Sequence, residues 1–193
     1  MYVKSITKDE LQELPLFRYQ GKIRLIEDAS EIKRAVQHCR QQKVVGFDTE
    51  TKPTFKKGQY HAVALVQLAV HDVVYLIRIN KTGLEEHLIS LFEDQDTLKL
   101  GIGLRDDIRD LQKIKPIKPE GFVDLNELAE ELEMESIGVR KLSGIFLNKR
   151  ISKSQQVSNW ENPKLTRAQM HYAATDAWIC LDIYEKMLEW RKG

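Results

Sequence analysis

The sequence predicts an α/β domain in which a mixed central sheet is flanked by helices. Short apolar runs bounded by turn residues are interleaved with, and then followed by, amphipathic helical patterns, which is typical of layered α/β domains. Two of the runs are separated only by His71 and Asp72, which predicts an antiparallel hairpin. A chain of 193 residues with 42% apolar and 31% charged residues can build such a core without disulfides or structural metals.

The apolar runs predict five strands, because each is four to nine residues long and rich in β-branched side chains. The strands cover residues 22–28, 43–50, 62–70, 73–79 and 98–103. The amphipathic patterns predict helices over residues 30–42, 83–93, 104–113, 124–134, 138–147 and 166–190. Thr166 and Gln169 have the spacing of a capping box at the start of the last helix. Residues 1–21 are predicted to form an N-terminal arm with a short helix, and residues 22–193 a single domain.

Several classes of protein are disfavoured by composition. The two cysteines, Cys39 and Cys180, have no metal-ligand spacing and are too few for a disulfide framework, which suits a reducing compartment. The N-terminal residues lack the apolar segment of a signal peptide, and no apolar run is long enough to cross a membrane. We therefore expect a cytoplasmic protein without a membrane partner, and we predict no protein partner.

A net charge of +1 conceals two segments of opposite charge. Residues 120–135 contain seven acidic residues and no basic one, whereas residues 140–167 contain seven basic residues and one acidic residue. Either segment alone is more often a solvated face than a binding surface.

Two carboxylates interrupt the predicted strand in the sequence VVGFDTETKP, residues 44–53. Asp48 and Glu50 are two residues apart, so both project from the same face of the strand. Burial of two unpaired carboxylates is costly, so either the strand ends in solvent at this point or the pair binds a positively charged group.

Two further acidic groups occur near strand ends or on the inner faces of helices. In LGIGLRDDIRDL, residues 100–111, a strand leads into a helix whose first turn offers Asp106 and Asp107, and the Gly-Ile-Gly register favours Asp107. In the last helix, Tyr172 and Asp176 are four residues apart and share a face, whereas His171 points away from Asp176. Each group alone has an ordinary structural explanation, such as acids at a helix start.

Together the acidic groups predict a metal site. Four converging carboxylates repel one another unless cations bind, and oxygen-rich sites suit Mg²⁺ or Mn²⁺. Two such ions can activate water and stabilise the leaving oxygen during phosphodiester cleavage.

The motifs FDTE, GIGLRDDIRDL and YAATDA resemble the three exonuclease motifs of the DEDD superfamily, in its tyrosine-bearing branch. The segments VALVQLA, FVDLNELA and LNKRISKSQQVSNWENPKLTRAQMHYAATDA are similar to Werner-type exonuclease domains and, more distantly, to ribonuclease D. The resemblance covers roughly residues 22–190 and implies a ribonuclease-H-like fold. It also implies a 3′→5′ exonuclease that uses two divalent ions, Mg²⁺ or Mn²⁺.

The resemblance assigns a role to each carboxylate. Asp48 is expected to bridge both ions, Glu50 and Asp176 to hold the ion that activates water, and Asp107 to support the second ion. Tyr172 is expected to orient the attacking hydroxide.

Basic and aromatic residues near these motifs are candidates for nucleic-acid contacts. The loop after the first motif supplies Lys57 and Phe55, together with Lys52 and Lys56, and the basic segment supplies Arg150, Lys153 and Trp160. Basic side chains follow phosphates, and aromatic side chains can stack on unpaired bases. Trp160 is also a candidate for the core.

Three functions are compatible with the sequence. The Werner-type resemblance favours DNA as the substrate. A ribonuclease D-like 3′→5′ exoribonuclease is the alternative within enzymes, and a non-catalytic nucleic-acid-binding module on the same fold is the alternative outside them.

Overall fold

A six-stranded mixed sheet forms the centre of the protein in the computed structural model, which describes residues 3–56 and 58–192. The strands are β1 (Lys22–Ile26), β2 (Val44–Thr51), β3 (Val63–Val70), β4 (Val73–Ile77), β5 (Leu98–Gly101) and β6 (Phe122–Asp124). Their order across the sheet is β1-β4-β3-β2-β5-β6. Strand β3 runs antiparallel to β2 and β4, and the other neighbouring pairs are parallel. The predicted mixed sheet and the hairpin at residues 71–72 are confirmed.

Helices cover both faces of the sheet. They are α1 (Lys8–Glu13), α2 (Ile32–Gln41), α3 (Ile79–Thr82), α4 (Glu86–Phe92), α5 (Leu104–Gln112), α6 (Leu125–Glu131), α7 (Val139–Leu147) and α8 (Arg167–Lys192). One core lies between the sheet and α6, α7 and α8, and the second between the sheet and α2, α4 and α5. These two cores give the three layers of the predicted fold.

The sequence did not predict β6. This edge strand is three residues long and pairs with β5 through Lys99, Leu100 and Gly101. Its last residue, Asp124, is the N-cap of α6 and accepts a hydrogen bond from the Asn126 amide at 2.9 Å. A strand of three residues is too short to show an alternating pattern, and the helix predicted over residues 124–134 included its last residue, Asp124.

Helix α8 packs directly against β2 at Gly46. A Cβ atom at this position would lie 2.0 Å from the carbonyl oxygen of Ala177. Gly46 therefore allows the backbone of α8 to approach the backbone of β2. Gly46 lies two residues before Asp48 in β2, and Ala177 directly follows Asp176 in α8. This close approach positions the site described below.

The N-terminal segment is attached along the helical layer that contains α7 and α8. Leu11 of α1 is buried, and its Cδ2 atom would lie 2.6 Å from a Cβ at Gly144 of α7. The Tyr19 amide donates to Thr175 Oγ1 at 3.0 Å. Within the described part of the chain, no helix combines the length and apolar character needed to cross a membrane.

Candidate active site

Three acidic side chains meet where β2 passes beneath α8. Oxygen atoms of Asp48 and Glu50, from β2, and of Asp176, from α8, lie within 4.8 Å of one another. They line a cavity of about 220 Å³ together with Tyr172. The strand alternation predicted from the sequence places both β2 carboxylates on the face that α8 covers.

The carboxylates of this cluster are buried close to one another, and this raises the free energy of their charged forms. Burial is the largest cause that raises the pKa of each carboxyl, to about 10 for Glu50 and about 7 for Asp176. The pKa of Asp48 is also well above its usual value, because burial is reinforced by the charges of Asp107 and Asp176. A divalent cation fits this all-oxygen set and would relieve the repulsion.

Asp107, rather than Asp106, is the acidic residue of α5 that faces the site. Asp106 is 73% exposed and forms an ion pair with Arg109 at 3.0 Å. Asp107 Oδ1 accepts a hydrogen bond from the Thr49 hydroxyl, and burial raises the pKa of Asp107 to about 6. Because Thr49 points to the opposite face of β2, Asp107 is connected to the strand from that side and lies outside the group of three.

Tyr172, rather than His171, faces the carboxylates. Tyr172 lines the cavity, and burial and the charge of Asp176 raise the pKa of its phenol. His171 Nδ1 instead lies 3.1 Å from the carbonyl oxygen of Tyr19, so this ring contacts the N-terminal segment. The fully buried Trp160 packs against Tyr172 with the ring centroids 6.0 Å apart.

Two residues that support the site were missed by the sequence reasoning. Gln67 is fully buried opposite Asp48 in the β2–β3 register, and its Nε2 donates to Asp48 Oδ2 at 3.4 Å. Its Oε1 has no hydrogen-bond partner within the described part of the chain, so this buried oxygen can accept a hydrogen bond. The signal for this residue was a single Gln within the apolar run AVALVQLAV.

Asp124 is the second missed residue. Its carboxylate accepts hydrogen bonds from the Gly103 and Leu104 amides at 3.1 and 2.9 Å. Gly103 has a φ of 76° and is the N-cap of α5, so Asp124 satisfies the first amides of the helix that carries Asp107. The sequence showed only an Asp at the start of a predicted amphipathic helix.

The predicted nucleic-acid contacts have different environments. Trp160 is 0% exposed, so its assignment as a base-stacking residue is wrong: basic neighbours in sequence do not determine which way an indole points. Phe55 is 82% exposed, and Lys153 is exposed at the edge of a groove beside Asp176. Arg150 Nε donates to the Leu14 carbonyl at 2.9 Å. Lys57 lies outside the described residues.

Lys52, which was expected to approach the nucleic acid, forms an ion pair. Its Nζ atom lies 3.3 Å from Glu161 Oε2, and His61 Nδ1 lies 3.2 Å from the other oxygen of the same carboxylate. Glu161 therefore joins the loop after the first motif to the segment before α8.

Comparison with known proteins identifies the class to which this fold and acidic site belong, the DEDD superfamily of nucleases. A model of the 3′-5′ exonuclease family matches residues 23–190. The chain therefore belongs to this 3′-5′ exonuclease family.

Two curated relatives illustrate the similarity in sequence. The mouse bifunctional 3′-5′ exonuclease/ATP-dependent helicase WRN is 32% identical, over 95% of this chain and 14% of the mouse protein. The exonuclease mut-7 homologue of Aedes aegypti is 29% identical, over 86% of this chain and 26% of that protein. The chain thus spans about a quarter or less of these relatives.

Solved structures show the same fold. The Nibbler EXO domain of Aedes aegypti superimposes with a TM-score of 0.82 at 27% identity, covering 91% of this chain and 93% of that one. Ribonuclease D of Escherichia coli, an exoribonuclease involved in structured RNA processing, gives 0.80 at 21% identity, covering 89% and 45%. Ribonuclease D of Trypanosoma brucei in complex with RNA U12 gives 0.76 at 19% identity, covering 96% and 66%. These likenesses support the ribonuclease-H-like architecture.

Proposed function

We propose that this exonuclease removes nucleotides from 3′ ends with the help of two divalent ions, Mg²⁺ or Mn²⁺, and that DNA is its preferred substrate. The observation that carries the proposal is the group of three carboxylates within 4.8 Å, with Asp107 close enough to raise the pKa of Asp48. Bound divalent ions would lower the pKa of the attacking water and stabilise the charge that develops on the leaving oxygen.

Each of the four acidic side chains would have a separate role in binding the ions. The charges of Asp107 and Asp176 both act on Asp48, so Asp48 is the residue that would help to hold both ions. Glu50 and Asp176 would help to hold the first ion, and Asp107, which accepts a hydrogen bond from the Thr49 hydroxyl, would support the second. Gln67 restrains Asp48 through its amide nitrogen.

Tyr172 is proposed to position the attacking water rather than to remove its proton. The raised pKa keeps its hydroxyl protonated, so the phenol acts as a neutral hydrogen-bonding group. Packing against Trp160 fixes its ring, and this limits the orientations that the hydroxyl can take. Tyr172 is thus the residue that would place this chain in the tyrosine-bearing branch.

The preference for DNA rests on the similarity to Werner-type exonuclease domains. The identity with mouse WRN is 32%, compared with 21% for the Escherichia coli ribonuclease D structure. The likeness in fold to ribonuclease D makes RNA the second candidate substrate. The family match and the complete acidic group oppose a non-catalytic role.

A paired degradation assay tests this proposal. Labelled single-stranded and 3′-recessed DNA, and an RNA of the same sequence, are incubated with Mg²⁺ or Mn²⁺. We expect a ladder of products shortened from the 3′ end, formed faster from DNA, and complete loss of activity in Asp48→Ala. Faster shortening of RNA would overturn the substrate preference, and an inert protein with both metals would overturn the catalytic proposal.

We also infer that residues 22–193 form the exonuclease unit and that residues 1–21 are its N-terminal arm. The match of the family model to residues 23–190 supports this division. The contacts of the arm with α7 and α8 support a role for the arm beside the site.

A further inference from the structure

A separate cleft lies between α2 and the edge strand β1, in the layer of helices opposite α8. Its volume is about 360 Å³, within the range of about 300–1,000 Å³ that small-molecule sites occupy. Among the described residues, none that lines this cleft also lines the cavity that holds the carboxylates. The cleft therefore needs an explanation of its own.

Polar side chains line both walls of the cleft, although a helix usually packs on a sheet through apolar ones. In β1, Lys22 and Arg24 line the cleft and alternate with Ile23 and Leu25, which pack against the other core. In α2, a polar stripe runs at helical spacing beside the buried apolar stripe. This polar stripe consists of Arg34, Gln37, His38 and Gln41. The patterns of both elements thus keep the cleft polar.

The cleft has an excess of positive charge. Lys22, Arg24 and Arg34 line it, and within residues 3–56 and 58–192 Asp72 is the one carboxylate in its lining. None of the three cations forms an ion pair with a described residue, whereas Arg40 of the same helix pairs with Asp94 at 3.1 Å. The three cations are therefore available to an anionic ligand.

Tyr75 and His38 add hydrogen-bonding groups to the cleft. Tyr75 is only 6% exposed, and its hydroxyl oxygen lies 2.8 Å from His38 Nδ1. His38 Nε2 lies 3.7 Å from Asp72 Oδ1, so the imidazole is held between the phenol and the carboxylate. Burial raises the pKa of the Tyr75 phenol, and the charges of Arg24 and Arg34 oppose this rise. Two guanidinium groups from different elements therefore act on the same hydroxyl.

A smaller cavity of about 190 Å³ adjoins the cleft. It shares Arg24, Arg34 and Tyr75 with the cleft and adds Ser30 and Glu31. The Glu31 carboxylate would repel an anion, but it accepts hydrogen bonds from neutral donors such as hydroxyl and amino groups. The combined space thus suits a ligand whose anionic end lies at the shared arginines and whose other end is neutral and polar.

We propose that this cleft binds a nucleoside through its phosphate monoester. Arg24 and Arg34 bind the phosphate from opposite walls, Lys22 adds a third positive charge, and the Tyr75 hydroxyl donates to a phosphate oxygen. A monoester carries a charge of about −1.5 to −2 at pH 7, more than a phosphodiester within a strand, so it is the better partner for this group of cations.

Two molecules can supply such a phosphate. One is a mononucleotide released by the exonuclease, and this source rests on the proposed function. The other is the 5′-phosphorylated end of a nucleic acid. The recognised chemistry is the same in both cases, and the experiment below distinguishes them.

Calorimetric titrations test the proposal in metal-free buffer without EDTA, since EDTA is itself an anion. Thymidine 5′-monophosphate and inorganic phosphate are titrated into the protein, and thymidine is the ligand that lacks a phosphate. A DNA tetranucleotide with a 5′-phosphate is compared with the same tetranucleotide with a 5′-hydroxyl. The variant Arg24→Gln/Arg34→Gln is compared with the control Lys33→Gln/Lys118→Gln, which neutralises two exposed lysines outside the lining of both cavities.

We expect one thymidine 5′-monophosphate to bind per chain, inorganic phosphate to compete with it, and thymidine not to bind. Arg24→Gln or Arg34→Gln alone should weaken binding about tenfold, and the pair about a hundredfold, because each removes a charge-assisted hydrogen bond. The control pair should bind within about twofold of the unaltered protein. All variants should melt within about 2 °C of the unaltered protein, because the changed side chains are exposed.

The tetranucleotides identify the source of the phosphate. If the 5′-phosphate strengthens binding and the arginine pair removes that gain, the ligand is the end of a nucleic acid. If only the mononucleotide depends on the two arginines, the ligand is the released nucleotide.

The proposal is overturned if thymidine binds as well as its monophosphate, or if the arginine variant and the control bind the monophosphate alike. Absence of any phosphate-dependent binding also overturns it. Inactivity of the protein on DNA and RNA would instead overturn the proposed function, because these titrations do not depend on hydrolysis.

Discussion

The phenol of Tyr172 lies among three acidic side chains and remains protonated, because burial and the charge of Asp176 raise its pKa. A group in this state can orient a water molecule but cannot act as a general base at neutral pH. The adjacent His171 is oriented toward the Tyr19 carbonyl instead. Two neighbouring residues of the same helix therefore have separate roles, one in the site and one in attaching the arm.

Replacement of Tyr172 by phenylalanine should lower kcat about 10²-fold and leave KM nearly unchanged, because only the positioning hydroxyl is removed. Steady-state kinetics with a single-stranded oligonucleotide measure this. His171→Ala is the matched control, and its kcat should stay within about twofold of the unaltered protein. A kcat loss in His171→Ala as large as that in Tyr172→Phe would contradict the assigned roles.

At the residue scale, the structure brings three of the four predicted acidic residues together, whereas the residues that support them were not predicted. Asp48, Glu50, Tyr172 and Asp176 follow from strand alternation and helix spacing, which are local rules. The roles of Gln67 and Thr49 depend on partners in another strand and another helix, so no local pattern shows them. Trp160 was misassigned for the same reason, since its sequence neighbours do not define its environment.

At the scale of elements, the contact between α8 and β2 sets the distance between Asp176 and the β2 carboxylates. Gly46 leaves no room for a side chain, because a Cβ there would overlap the Ala177 carbonyl. That carbonyl belongs to the helix backbone, so it can move only if the helix moves. The position of Asp176 therefore depends on the absence of one methyl group.

Gly46→Ala should destabilise the protein by about 1–3 kcal/mol, the usual cost of overpacking, and lower kcat by about 10²-fold as Asp176 shifts. Denaturant unfolding and nuclease kinetics measure the two effects. Val45→Ala provides the control, because Val45 is buried on the opposite face of β2, in the core that contains α2 and α4. This control should lose comparable stability and keep its kcat, and equal activity losses in both variants would contradict the account.

The sequence predicted most helices and five of the six strands, because long amphipathic patterns and apolar runs carry strong periodic signals. Strand β6 and the four-residue helix α3 were not predicted, because neither is long enough to show a periodic pattern of apolar residues. The order of the strands in the sheet was not predicted from the sequence. Strand β2 pairs with β3 and also with β5, and two strands and two helices separate β2 from β5 along the chain.

At the scale of the whole molecule, the acidic site makes stability depend on metal and pH. In the folded protein Asp107 and Asp176 have pKa values of about 6 and about 7, above the usual 3.8. At a pH between the usual value and these raised values, the folded chain binds more protons than the unfolded chain. The stability of the metal-free protein should therefore fall as the pH rises from about 4 to about 8.

Addition of Mn²⁺ should raise the melting temperature most at the alkaline end of this range, because the ion binds the deprotonated carboxylates. At a concentration about 100 times Kd the gain is about 2.7 kcal/mol, or roughly 5–10 °C for a protein of this size. Thermal melts at pH 6 and pH 8, with EDTA and with Mn²⁺, measure both effects.

Asp48→Asn is the control for these melts. Without metal it should melt at a higher temperature than the unaltered protein at pH 8, because one buried charge has been removed. It should also respond little to Mn²⁺. A metal-free protein that became more stable between pH 6 and pH 8 would contradict this electrostatic account.

The location of Asp176 in α8 has a consequence for the order in which the acidic group forms during translation. The strand that carries Asp48 and Glu50 leaves the ribosome early, but the third carboxylate arrives only when α8 has been made and has docked on Gly46. Domains emerge from the ribosome N-terminal end first. A chain in which α8 has not yet been made therefore has only two of the three grouped carboxylates. The order of the motifs along the chain therefore delays assembly of the acidic group until α8 has been synthesised.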